Sequence, residues 1–305
     1  MISRRYVLGN AALALGGALL LRPRTGFGQA GAAALEVTDL SNGLFVVQGA
    51  GCNVVALRGP DGALMVDGGL AANARALVDT VLKATGNDRV ARLINTHWHP
   101  EQTGANELVG SSGGTIFAHE KTKLYVSNTV TSALFEGRLA PLPEVARPTE
   151  TTRGDGMLDF GGHEIEYGYL PAAHSDSDLF VFFREHNVLA AGGVVAAKQW
   201  PLIDYHNGSW YGGRVRALQR LADLVRPDTR VVPADGPLMT GRDVMRFRDI
   251  YVELFDTMIG YMNMGLGAED VVVRNPLAKY EPEISGAAPF LDGAYRSMQI
   301  AYFPD

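Results

Sequence analysis

Short apolar runs separated by glycine, proline and aspartate dominate the chain from residue 44 onward. "LFVVQ" (44–48), "NVVALRG" (53–59) and "GALMVDGG" (62–69) read as strands; Pro60 and Asp61 turn between the last two, which makes them antiparallel neighbours. From Asn73 the period changes. Leu77, Val78, Val81 and Leu82 recur at the spacing of a helix with one buried face, and Gly86 ends it. "RVARLINTH" and "GTIFAHE" return to the strand pattern. Residues 127–156, with Pro141, Pro143 and Pro148, predict an irregular connection lying over a cleft. "MLDFGGHEIEYGYLP" predicts a hairpin turning at Gly161 and Gly162, and "DLFVFFREHNVLAAGGVV" two strands turning around residues 185–187. Helical spacing follows at Val215, Leu218, Leu221, Ala222 and Val225, then the strand "TRVVPADG", then a long helix carrying Val244, Phe247, Tyr251, Leu254, Phe255 and Met258. Met258, Met262 and Met264 are expected in the core or at a dimer surface. Strands, a helix and strands are followed by the same theme again, with no linker between. The layered solution is an α/β, four-layer αββα sandwich: two mixed β-sheets face to face, flanked by helices, in a single domain over residues 31–305.

Residues 1–30 stand apart from that pattern. They contain Arg4, Arg5, Arg22 and Arg24, no acid, and an apolar run over 7–21 that falls short of the roughly 20 residues a bilayer span needs. Small residues at Gly28 and Ala30 complete the pattern of a cleaved export signal, with Ala32 to Ala34 as further cutting points. "SRRYVL" resembles the twin-arginine signal of bacteria, which exports folded proteins, so a periplasmic or otherwise exported location is expected, without a membrane anchor after cleavage. The 27 basic and 33 acidic residues give a net charge of −6; four of the basic ones lie in the signal, so the remainder is at −10. That charge argues against nucleic acid as a partner and leaves a small-molecule substrate, with a homo-oligomer open. Cys52 is the one cysteine, which excludes an intramolecular disulfide, and its place before a strand predicts a buried structural thiol.

Candidate chemistry sits in "THWHPEQTGAN" (96–106). Residues i and i+2 on an extended segment face the same way, so His97 and His99 can present two imidazoles to one ion. His174, in "LPAAHSDSDLFVFF", lies at another junction of an apolar run with a strand. Three neutral imidazoles make a zinc site with one open position. Of the other histidines, His119 reads as a strand end beside a helix start, His163 and His186 as solvated turn residues, and His206 as a loop residue within possible reach of the site. No Walker or CxxC motif occurs.

"INTHWHPEQTGANE", the downstream "AAHSDSDL", "VLAAGGVV" and "VVPADGPL" together resemble the ordered motifs of the metallo-β-lactamase superfamily: HxHxDH, a later His, a later Asp in a "GD" step and a final His in a "PGHG" turn. The resemblance runs from about Leu35 to the C-terminal helices. It implies the metallo-β-lactamase fold, with His97, His99 and His174 as ligands of the first metal and Asp67 in the supporting shell. Four positions depart from the family. Glu101 stands for its Asp, Gln102 for its His, Gly193 for its bridging Asp and Asp235 for its last His. Gly193 has no side chain to bridge two ions and Gln102 is neutral, so about one Zn²⁺ per chain is expected and a second is not. The resemblance thus implies a mononuclear metallo-hydrolase that cleaves an ester, lactone or thioester with zinc-bound hydroxide, with Glu101 or Asp235 as proton partner. Asp176 and Asp178 either support His174 or cap a turn. Two alternatives stand beside this reading: Glu101, Gln102 and Asp235 holding a harder cation such as Mn²⁺ or Ca²⁺, and a non-catalytic binding or accessory protein that keeps the cleft. "QWPLIDYHNGSWYGG" is aromatic enough to form an apolar rim, and the pattern leaves open whether Trp98, Trp200, Trp210 or Tyr211 line the pocket.

Overall fold

The computed structural model describes residues 34–302 apart from 133 and 136, so the expected signal and its cutting points up to residue 33 lie outside the described residues. In chain order the first half forms β1 (Glu36–Asp39), β2 (Leu44–Gln48), β3 (Val54–Leu57), β4 (Ala63–Val66), α1 (Ala74–Thr85), β5 (Val90–Ile94), α2 (Pro100–Thr103), α3 (Asn106–Ser111), β6 (Thr115–His119), α4 (Glu120–Val126), the short β7 (Val130–Thr131) and β8 (Arg138–Leu139), and β9 (Glu150–Thr152). The second half forms β10 (Gly156–Phe160), β11 (His163–Leu170), β12 (Asp178–Phe183), β13 (Val188–Gly192), α5 (Tyr211–Leu224), β14 (Arg230–Pro233), β15 (Met239–Thr240), α6 (Gly241–Asn263), α7 (Ala268–Arg274) and α8 (Ala287–Tyr302).

Two mixed sheets result, in the orders β1-β2-β3-β4-β5-β6-β9 and β10-β11-β12-β13-β14-β15, with β7 and β8 as a separate hairpin. Both sheets begin antiparallel and turn parallel where a helix crosses over, α1 between β4 and β5 and α5 between β13 and β14. The period-2 geometry of a strand explains why the apolar runs are unbroken. In β12, Leu179, Val181 and Phe183 point between the sheets, meeting Val55, Leu57, Val66 and Ile94, while Phe180 and Phe182 point to the helices. In β3, Val54 and Ala56 face α1 while Val55 and Leu57 face the other sheet. The αββα sandwich expected from the pattern is therefore the observed one.

Gly86 takes the left-handed conformation at the α1 C-terminus, φ 72°. Cys52 is buried beside Ala50 and Val54, and burial pushes its thiol well above its ordinary range, as a structural thiol requires. Met258 is buried and Met262 packs on the core, whereas Met264 is exposed. Trp200 and Tyr211 stack against Phe290 and Tyr251 in the core beneath α6 and α8. One expectation needs correction. His186 is not solvated: it is buried against Phe183 and His163, because the turn after β12 tucks inward. Among the described residues no helix is long and apolar enough to cross a membrane.

Candidate metal centre

The carboxyl ends of the parallel strands converge on one edge of the sandwich, where irregular backbone is free to carry side chains. Asp67 follows β4, His97 and His99 follow β5, Gly193 follows β13 and Asp235 follows β14, while His174 sits in the β11–β12 connection. Backbone bonds stitch this edge across the sheets: Leu179 N–H donates to Thr96 O (2.7 Å) and Asn53 N–H to Ala234 O (2.7 Å). Asn95 and Asn106 exchange side-chain bonds of 3.0 and 2.9 Å that hold the loop from β5 into α3.

The three histidines meet. His99 Nδ1 lies 3.1 Å from His97 Nε2 and 3.1 Å from His174 Nε2, and the rings are nearly perpendicular with centroids 4.6 to 4.8 Å apart. Zinc–nitrogen distances of about 2.0–2.1 Å imply ligand nitrogens about 3.3 Å apart in a tetrahedron, close to this spacing. His97 and His99 are fully buried and His174 partly so. Burial, ahead of mutual repulsion and the Arg214 charge, holds His97 and His174 well below the ordinary histidine pKa, which leaves neutral imidazoles as metal binding requires.

The outer nitrogens are held in turn. Asp67 accepts from Thr96 N–H (2.7 Å) and Thr96 Oγ1 (2.8 Å), which leaves the Thr96 oxygen free to accept from His97 Nδ1 at 3.0 Å. That chain fixes the His97 proton on Nδ1 and points the Nε2 lone pair inward. Burial raises the Asp67 carboxyl to about 8, and the two Thr96 bonds oppose it. Asp178 accepts from the backbone N–H groups of His174 (2.8 Å) and Ser175 (2.7 Å), and its other oxygen lies 4.0 Å from His97 Nδ1; burial raises it to about 7. Asp176 turns away from the histidines to an ion pair with Lys121 (2.6 Å).

Three contributors were not legible in the sequence. Asp204 is fully buried, with Oδ2 3.9 Å from His99 Nε2 and bonded to Ser132 Oγ (2.8 Å) and Asn207 Nδ2 (2.9 Å). Arg214, on α5, is also fully buried and puts Nη2 2.9 Å from His174 Nδ1 and 3.4 Å from Leu202 O. A guanidinium only donates, so a metal-holding His174 must turn its Nδ1 proton toward the Leu202 carbonyl instead. Third, the β7–β8 hairpin lays Phe135 edge-on to His99, centroids 5.1 Å apart, beside Trp98 and Tyr125, which stack on each other at 4.9 Å. The only signal for these groups was composition: one Asp in "PLIDYHNG" and one Arg in an otherwise apolar helix face.

The residues fit one ion. Six buried polar atoms without a partner belong to this neighbourhood, on Trp98, His99, Gln102, Asp204 and Arg214, so the site does not satisfy itself. The second position does not fit. A Cβ on Gly193 would lie 2.1 Å from His174 Cδ2, so the His174 ring occupies the space a bridging carboxylate needs. Gln102 is buried with both amide atoms unpaired. Glu101 lies 3.9 Å from His99 Nδ1, on the inner side of the cluster. Asp235 is exposed, with no ion pair to the histidines among the described residues. His206 is exposed too, packed on Tyr205. His119 ends β6 and caps α4, accepting from Lys121 N–H.

A two-sheet sandwich with a three-imidazole cluster at its edge defines the class of protein. The model of the Metallo-beta-lactamase superfamily matches residues 47–234, and the chain belongs to that superfamily. Its fold is similar to a metallo-beta-lactamase from Pontibacter korlensis (20% identity, TM-score 0.57, 71% of this chain and 98% of that one) and to the DIM-1 metallo-beta-lactamase (15%, 0.58, 72% and 98%). It is also similar to the inverting sec-alkylsulfatase Pisa1 from Pseudomonas sp. (15%, 0.63), with 88% of this chain matching 50% of that one. No curated protein sequence matches the chain.

Proposed function

We propose that this protein is an exported hydrolase that works with one zinc ion on His97, His99 and His174 and cleaves an ester, lactone or thioester in a small molecule. The observation that carries the reading is the inward convergence of three imidazole nitrogens, His99 Nδ1 lying 3.1 Å from both His97 Nε2 and His174 Nε2. A zinc ion there supplies Lewis acidity that activates water near neutral pH. The chain's own groups do the rest. Asp67 and Thr96 hold the His97 ring, Asp178 holds the backbone of His174, and Asp204 stands behind His99. Glu101, on the inner side, takes up the proton released from water and returns it to the leaving oxygen or sulfur. Phe135, Trp98 and Tyr125 give the substrate an apolar wall and favour an ester with an aromatic or alkyl part. Export by the twin-arginine route, to the periplasm, belongs to the same proposal and rests on Arg4, Arg5 and the apolar run after them.

One observation favours a second reading, a non-catalytic binding protein: His97 and His99 have no exposed surface, and Phe135 packs edge-on to His99. The test that separates the two is metal content by elemental mass spectrometry, beside turnover of a panel of aryl esters, lactones and thioesters, with His174→Ala as control. Zinc held through His174 together with zinc-dependent turnover supports the hydrolase. Zinc without turnover of any member supports the binding protein, and no zinc on the three histidines defeats the hydrolase.

A further inference from the structure

At the far end of β12 from His174, a second set of metal-ligating side chains is assembled that the hydrolase site does not use. The β11–β12 ladder ends at the pair Ile165 and Phe183, and the 3-10 turn Arg184–His186 that follows β12 brings Glu185 to His163. His163 Nδ1 lies 2.9 Å from Glu185 Oε2. The turn after β12 ends with Asn187 in the left-handed conformation, φ 52°, and brings His186 back against the pair, its ring centroid 5.5 Å from that of His163. One donor atom from each of the three residues lies within 4.8 Å of the others.

We infer that His163, Glu185 and His186 form a second divalent-cation site, selective for zinc or a similar borderline ion, that staples the β10–β11 hairpin to the β12–β13 turn. Two imidazoles and a carboxylate are a zinc donor set, and water completes the coordination at the surface. The 2.9 Å contact between His163 and Glu185 is close to the ligand spacing of about 3.3 Å that zinc imposes, so the ion takes the place of the shared proton with little movement. Exposure supports the assignment: His186 is buried and fixed, while the His163 and Glu185 side chains are 30% and 56% exposed and open to an arriving ion. The neighbouring cations are engaged elsewhere. Arg184 pairs with Glu166, and Arg230 donates to the carbonyls of Leu40 and His186. His186 Nε2 has only a 3.4 Å contact with Asn42 O. The site is structural: it joins the β10–β11 and β12–β13 turns, at the opposite end of β12 from His174.

The experiment strips wild type, Glu185→Gln, His163→Asn and His174→Ala with chelator, equilibrates each with zinc, removes free metal by gel filtration and measures bound zinc and Tm. The expected result is one zinc equivalent lost in Glu185→Gln and in His163→Asn, separate from the equivalent lost in His174→Ala. The zinc-dependent rise in Tm should shrink in the same two variants. Glu185→Gln is at an exposed position and keeps side-chain size, and His163→Asn, at a half-buried position, guards against misfolding of the first. Wild-type zinc content in both variants overturns the site. So does a wild type with no zinc beyond the equivalent His174→Ala removes. Wild-type zinc content in His174→Ala, with one equivalent lost in the other two variants, overturns the proposed function's metal centre and leaves this site standing.

Discussion

Gly193 gives a sharp test of how the metal centre is built, because reverting it toward the family pattern should harm the site. A Cβ at position 193 meets His174 Cδ2 at 2.1 Å and Cγ and Nε2 at 2.6 Å, whereas ordinary contact begins at 3.4 Å. The His174 ring must therefore withdraw by about 1.3 Å even for Gly193→Ala. It cannot do so and keep Nε2 3.1 Å from His99 Nδ1, so the third imidazole leaves the reach of a shared ion. Loss of correct ligand placement lowers metal affinity by about 10–100-fold, and the overpacking costs about 1–3 kcal/mol of stability. The assay is zinc affinity by competition with a chromophoric chelator, with Tm of the metal-free protein beside it. Gly193→Ala should show both losses, and Gly193→Asp should show them more strongly without taking up extra zinc. Wild-type affinity and Tm in Gly193→Ala would refute the claim that the His174 ring fills that space. An added zinc in Gly193→Asp would show that a bridged pair of ions is only one side chain away.

Three further outcomes are expected. Glu101→Gln should keep its zinc and lose about 10²–10⁴-fold in turnover, and unchanged turnover in a zinc-loaded preparation removes Glu101 as the proton carrier. Asp204→Asn should weaken zinc binding by about 10–100-fold, since Asp204 is the one carboxylate behind His99 Nε2; equal affinities by chelator competition would leave it a loop anchor for Ser132 and Asn207. His119 is held below its ordinary pKa first by burial, so below about pH 6.5 the unfolded chain binds a proton that the fold refuses. Its contribution is complete above that pH and fades as pH falls, so the Tm of wild type minus that of His119→Gln should drop between about pH 7.5 and pH 5, and a flat difference sinks the assignment.

The strands and helices were legible because both faces of each central strand are covered. Unbroken runs such as "DLFVFF" have no other stable use, and α1 shows its one buried face in the spacing of Leu77, Val78 and Val81. The short elements α2, α3 and β9 carried no such period and were missed, since a segment of three to six residues shows too few positions to reveal one.

The sequence by itself determined the layered fold and pointed to the candidate trio His97, His99 and His174, since HxH spacing on a strand exit aligns two imidazoles locally and the motif order supplies the third. It also showed that position 193 offers no carboxylate, because it is glycine. Only the tertiary structure decided what surrounds that trio. Asp204, Arg214 and Phe135 reach it from segments 36 to 115 residues away from His99, and nothing local in the chain marks such meetings. The same holds for His163, Glu185 and His186, read as separate turn residues until strand register set two hairpins side by side. Periodicity reports which face of an element is buried; which side chains share that burial is settled when elements pack, through distances that sequence separation does not encode.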